Sequence, residues 1–111
     1  MNFHSLYDQG FARVAAVTLP AHPARPFENA REIIDAARQL DTRGVAMGVF
    51  PELCVSGYAI DDLLLQDVLL DNVEKALATI VEASADLLPL LIVGAPLRKD
   101  NALYNCAVAI H

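Results

Sequence analysis

Residues 49–62, VFPELCVSGYAIDD, carry an apolar run into a proline, one acid, a Ser-Gly turn and a pair of aspartates. Proline has no backbone donor and a fixed φ, so Pro51 ends a strand sharply and leaves Glu52 at its lip in a constrained position. Ser56-Gly57 reads as a turn. Asp61 and Asp62 suit a helix start, where carboxylates meet unpaired N–H groups and the positive end of the helix. A buried strand that hands over to a helix through a short turn is the unit of an α/β sheet, and the rest of the chain repeats it.

Upstream, VAMGVF (45–50) completes that strand. FENAREIIDAARQLDTRG (27–44) places Ala30, Ile33, Ile34, Ala37 and Leu40 at helical spacing, sets charges on the other side and stops at Gly44. PAHPARP (20–26) holds three prolines and reads as a crossover loop, and FARVAAVTL (11–19) as a first buried strand. Downstream, a helix over 67–85 carries Leu70, Val73, Leu77, Ile80 and Val81 as its apolar stripe. An Asp71–Lys75 pair at i,i+4 adds about 0.3–0.5 kcal/mol. LPLLIVGAPL (88–97) is a third strand, RKDN (98–101) a polar turn, and ALYNCAVAIH (102–111) a fourth strand antiparallel to the third. Strand, helix, strand, helix, strand, strand predicts an α/β fold: a mixed sheet with helices, residues 1–111 forming one unit with no internal boundary.

The 111 residues are 55% hydrophobic, with net charge −6 and no Lys/Arg stripe. Disorder is excluded, and nucleic acid or an anionic membrane is not the expected partner. The longest apolar run, 87–97, is too short to span a bilayer. MNFHSLYDQGFAR lacks the charge pattern of a leader, so the expected address is the cytoplasm. Cys54 and Cys106 have neither metal-ligand nor disulfide-scaffold spacing and read as free thiols in apolar surroundings. His4, His22 and His111 lie far apart with no carboxylate companions at ligand spacing, which predicts no metal site. GAP (94–96) is no phosphate loop.

The chemistry-bearing candidate is Glu52. Functional groups of open α/β sheets collect beyond the carboxyl ends of strands, and a carboxylate held against Phe50, Leu53 and Tyr58 loses solvation, which raises its pKa toward that of a useful general base. A solvated loop acid is the plain alternative.

VFPELCVSGYAIDDLL resembles the first catalytic motif of the nitrilase (carbon–nitrogen hydrolase) superfamily: an apolar strand, Phe-Pro-Glu, then Gly-Tyr. RVAAVTL, LLIVGAP and LYNCAVAIH resemble further strands of that superfamily in register. More narrowly, GYAIDDLLLQDVLLDNVEKAL and MNFHSLYDQGFARVAAVT resemble the glutaminase domain of glutamine-dependent NAD⁺ synthetases, most of all the actinobacterial form, and the resemblance covers essentially all 111 residues. It implies an N-terminal portion of a nitrilase-like α-β-β-α sandwich, glutamine as substrate, and Glu52 as general base for a cysteine nucleophile. It puts Tyr58 at the glutamine pocket or in support of Glu52, with a core aromatic as the alternative.

The implied triad is Glu, Lys and Cys, yet the only lysines, Lys75 and Lys99, sit in no such motif. Cys54 and Cys106 are not at the nucleophile's position either. The remaining triad members are therefore expected beyond His111, together with the rest of the sandwich and a C-terminal synthetase domain that uses ATP, Mg²⁺ and deamido-NAD⁺. The chain alone is expected to be inactive and to leave an apolar strand edge open, and the intact enzyme to be a homo-oligomer. The rival readings are another nitrilase-superfamily amidase of ω-amidase type and a non-catalytic α/β binding module.

Overall fold

The computed structural model describes residues 4–111. Met1–Phe3, the first residues of the stretch read against a leader, lie outside the described residues. Four strands, β1 (Val14–Ala16), β2 (Met47–Val49), β3 (Leu90–Lys99) and β4 (Ala102–Ile110), form one sheet in that order. The first three run parallel and β4 antiparallel to β3. Helices α1 (Pro26–Thr42) and α2 (Asp67–Ser84) cross over between the parallel strands. The mixed α/β architecture expected from the alternation is present.

The expected stripe of α1 is buried at every position: Ala30, Ile33, Ile34, Ala37 and Leu40. Pro26 opens the helix, where its missing N–H costs nothing, and Gly44 closes it at φ 66°. These side chains form one core with Val73, Ala76 and Ile80 of α2 and with Leu91, Val93 and Ala95 of β3, so both helices cover the same face of the sheet. On the other face Val49, Leu103 and Asn105 are exposed.

Several boundaries differ from the sequence reading. β1 spans three residues rather than 11–19, and Val14 is 60% exposed. As an edge strand it pairs only with β2, and its outer face has no helix to cover it. β2 is likewise shorter than 45–50. β3 runs to Lys99, so the polar turn shrinks to Asp100-Asn101, with φ of 50° and 63°. Positive φ at both central residues is the type I′ geometry whose twist matches a hairpin.

Asp61 and Asp62 sit in a short 3₁₀ turn, Asp61–Leu65, and make no side-chain cap; α2 begins only after Gln66. Val81 is 53% exposed, and Leu69 and Ala76 take the stripe positions beside Leu70, Val73, Leu77 and Ile80. Asp71 turns away from Lys75 to accept from Arg98 of β3, whose guanidinium also donates to Asp67 at 2.9 Å.

Pro96 lies inside β3 without costing a ladder bond. Ile92 O accepts from Phe50 N and Gly94 O from Val55 N, so the even-numbered residues of β3 turn their backbone groups toward β2. Pro96 lies past the end of β2, where no strand asks for its missing donor.

The proline-rich crossover loop is held by Asn29, a side chain 2% exposed that the sequence reading gave no role. Its Oδ1 accepts from His22 N at 2.9 Å. Its Nδ2 donates to His22 O at 2.8 Å and to Val55 O at 3.0 Å. Asn29→Ala strands three backbone groups at once, and urea denaturation is expected to show about 2–4 kcal/mol of lost stability.

Candidate active site around Glu52

After β2 the chain cannot continue as strand: Phe50 N donates to Ile92 O, and Pro51 has no donor to follow it. The turn that carries Glu52 lies directly on Gly94 of β3. A Cβ at Gly94 would stand 2.3 Å from Leu53 N, 2.7 Å from Pro51 O and 2.9 Å from Glu52 C, all backbone atoms. The close seat exists because residue 94 has no side chain.

Leu53 is forced to φ 51°, a conformation costly for a side-chain-bearing residue. Its buried side chain and the bond from Gly57 N to Leu53 O, at 2.8 Å, hold it there. Val55 N then donates to Gly94 O at 3.0 Å, and Ala24 N to Ser56 O at 2.8 Å. Glu52 thus projects from a turn pinned by β3 on one side and by the crossover loop on the other.

The carboxylate does not lie in an apolar pocket as the sequence suggested. Phe50 and Leu53 are buried beneath the turn, but Glu52 itself is exposed on the face of the sheet away from the helices. There it meets Asn105 of β4, whose Nδ2 donates to Glu52 Oε1 at 2.6 Å. Asn105 belongs to the LYNCAVAIH stretch, whose sequence alone gives it no site role. Glu52 borders two hollows. One, of about 120 Å³, is also lined by Leu19, Pro20, Asn29, Cys54 and Tyr58. The other, a groove of about 280 Å³ along the open sheet face, runs past Gly94, Asn105 and Cys106.

Tyr58 shares the smaller hollow with Glu52 and is 66% exposed, so it is not a core aromatic. Cys54 also reaches that hollow, but its Sγ donates to Gly94 O at 3.8 Å and burial pushes the thiol pKa up. It is held as a neutral thiol, the state least suited to nucleophilic attack. Cys54 in the folded chain is accordingly expected to alkylate with iodoacetamide at ~pH 8 more slowly than after denaturation, as read by mass spectrometry of its peptide. Cys106 lies inside β4, and both thiols are free. Lys75 and Lys99 are exposed, on α2 and at the hairpin.

His22 departs from the expectation that it lacks carboxylate companions. Its Nδ1 lies 3.5 Å from Glu28 and its Nε2 3.3 Å from Glu32, both on α1. The two carboxylates flank the ring on opposite nitrogens, an arrangement that ties the loop to the helix. No group of three metal-ligating side chains converges among the described residues.

No protein-family model matches the chain. Over all 111 residues it is 55% identical to the glutamine-dependent NAD(+) synthetase of Mycobacterium tuberculosis H37Rv and 54% identical to that of Mycobacterium leprae. Each match covers 100% of this chain and 16% of the relative, so the chain spans a small part of those enzymes' length. Among solved structures, a glutamine-dependent NAD(+) synthetase from Cytophaga hutchinsonii superposes with a TM-score of 0.81 at 25% identity, over 89% of this chain and 17% of that one. An amidase from Nesterenkonia sp. superposes at 0.67 and 26% identity, over 77% of this chain and 32% of that one. Sequence and fold agree: along its whole length the chain is related to a segment of the glutamine-dependent NAD(+) synthetases and shares with them and with an amidase a nitrilase-like α/β fold.

Proposed function

We propose that this chain forms part of the glutamine-hydrolysing centre of a glutamine-dependent NAD⁺ synthetase, with Glu52 as its general base. The observation that carries the reading is the placement of Glu52: a carboxylate on a turn pinned to β3, with one oxygen on the Asn105 amide, at the mouth of a hollow shared with Tyr58. The chain's 55% identity to such a synthetase supports glutamine hydrolysis as the reaction. In it, Glu52 takes the proton of a cysteine thiol, and the thiolate attacks the carboxamide carbon of glutamine. Ammonia leaves, and water then cleaves the thioester to release glutamate. Tyr58, at the rim of the hollow, helps to shape the glutamine pocket.

The nucleophile and a lysine come from parts of the intact protein outside this chain. Cys54 is a buried neutral thiol and Cys106 a strand residue, while both lysines stand on exposed elements. ATP and Mg²⁺ act in a separate synthetase domain, which would use the ammonia to amidate deamido-NAD⁺. The described residues offer no converging donor set for a cation. A homo-oligomer in the cytoplasm is the expected state of the intact enzyme; among the described residues no helix is long and apolar enough to cross a membrane.

The test separates the two sources of ammonia. In the intact protein, Glu52→Ala is expected to abolish NAD⁺ formation driven by glutamine and to leave formation driven by ammonium salts unchanged. Loss of both, or of neither, rejects Glu52 as the base.

A further inference from the structure

We propose that Asn105 is a positioning residue for Glu52: its side-chain amide, presented by β4, fixes one carboxylate oxygen and leaves the other to receive the proton. This rests on the reading of Glu52 as the general base. Asn105 lies opposite Pro96 on the face of the sheet away from the helices, the face on which the Pro51–Leu53 turn is seated over Gly94. A carboxylate only accepts hydrogen bonds, so the group that faces Glu52 Oε1 at 2.6 Å is the amide NH₂. Both ends of the contact are anchored. β4 is in register with β3 over nine consecutive pairs, from Leu91–Ile110 to Lys99–Ala102, and the turn cannot shift without leaving its seat. The hydrogen bond therefore selects one orientation of a side chain that is otherwise exposed and free to rotate.

The chemistry of the partner matters as much as its place. A lysine or arginine at this position would pair with the carboxylate and hold its pKa far down, which weakens it as a base. A neutral amide orients the oxygen without adding a charge. The other titratable groups around Glu52 are Cys54 and Tyr58 in the smaller hollow and Cys106 in the groove. No arginine or lysine lines either hollow among the described residues. Exchanging the amide for another group is therefore expected to register directly on Glu52.

The test uses two variants and two readouts. Asn105→Asp keeps the shape but sets a second carboxylate beside the first, and Asn105→Leu removes the donor without adding charge. In a carbon-13 NMR titration of the intact protein, Asn105→Asp is expected to move the titration of Glu52 up by about 1–2 pH units, as like charges sharing a site do. In the intact protein, both variants are expected to lower kcat for glutamine about 10–100-fold while KM stays unchanged. The acid limb of the Asn105→Asp pH profile is expected to shift with the carboxylate.

An unshifted Glu52 titration in a folded Asn105→Asp variant overturns the proposal, and so does a rise in KM with kcat unchanged in Asn105→Leu. Asn105 is exposed, so both variants are expected to fold; if one does not, the other decides. If the unmutated protein does not hydrolyse glutamine, the reading of Glu52 as a base fails, and the NMR titration still decides whether Asn105 positions the carboxylate.

Discussion

Gly94→Ala is expected to be among the most destabilising single-methyl additions in this chain, at about 3 kcal/mol, and to dislodge Glu52 as it does so. The added carbon would meet Leu53 N at 2.3 Å, Pro51 O at 2.7 Å and Glu52 C at 2.9 Å. Overpacking typically costs ~1–3 kcal/mol when side chains can shift rotamers to absorb it. Here the obstacles are backbone atoms of a turn already held by a proline and by a leucine at positive φ, so relaxation means lifting the whole turn. Lifting it also breaks the bond from Val55 N to Gly94 O.

Gly48 provides the comparison. A Cβ there would stand 2.4 Å from Leu40 Cδ1, the far end of a flexible side chain, with Phe50 Cε1 next at 3.7 Å. Gly48→Ala is expected to cost about 1 kcal/mol, since Leu40 can rotate aside. Urea denaturation of the two variants checks the difference. Equal costs would mean that the turn yields as readily as a leucine rotamer, and that β3 does not set the position of Glu52.

The sequence disclosed what local pattern encodes. The stripe Ala30, Ile33, Ile34, Ala37 and Leu40 is buried because its 3.6-residue period leaves no other face to bury. Pro51 after an apolar run marked the end of β2, and RKDN (98–101) marked the turn that the structure narrows to Asp100-Asn101. What stayed hidden depends on partners distant in the chain. Gly94 reads as an ordinary strand glycine until the turn from residues 51–53 lies on it, and Asn105 as an ordinary strand polar residue until Glu52 arrives. Asn29 sits among helix formers, yet its hydrogen bonds go to His22 and to Val55, 26 positions away.

Val81, four residues after Leu77, fits the apolar stripe of α2 by spacing yet is 53% exposed. Only the position of α1 shows that Leu69 and Ala76 lie on the buried side instead. The burial of Glu52 was misjudged for a related reason. Phe50 and Leu53 are its neighbours in sequence, but Phe50 turns into the core and Leu53 is buried within the turn, while the carboxylate emerges on the open face beside Asn105.

The Glu52 series carries the largest expected effect on function. Glu52→Gln keeps the side chain's length and an oxygen that can accept from Asn105, but it cannot take a proton. General-base catalysis contributes ~10²–10⁴-fold, and the glutamine-driven rate of the intact protein is expected to fall by that factor. Glu52→Asp keeps the base and withdraws it by one methylene. The backbone cannot follow, because Pro51, Leu53 and Gly94 hold the turn where it is. Displacement of about 1 Å commonly costs ~10²-fold, so the aspartate is expected to lose about as much as a misplaced group loses, not to rescue the rate. Because Glu52 is exposed, neither change is expected to alter stability by more than about 0.5 kcal/mol, and the ammonium-driven rate reports any damage elsewhere. An aspartate variant as active as the parent would mean that the fixed turn and the Asn105 contact have no part in catalysis. A glutamine variant as active as the parent would leave Glu52 as a loop acid with no part in the proton transfer.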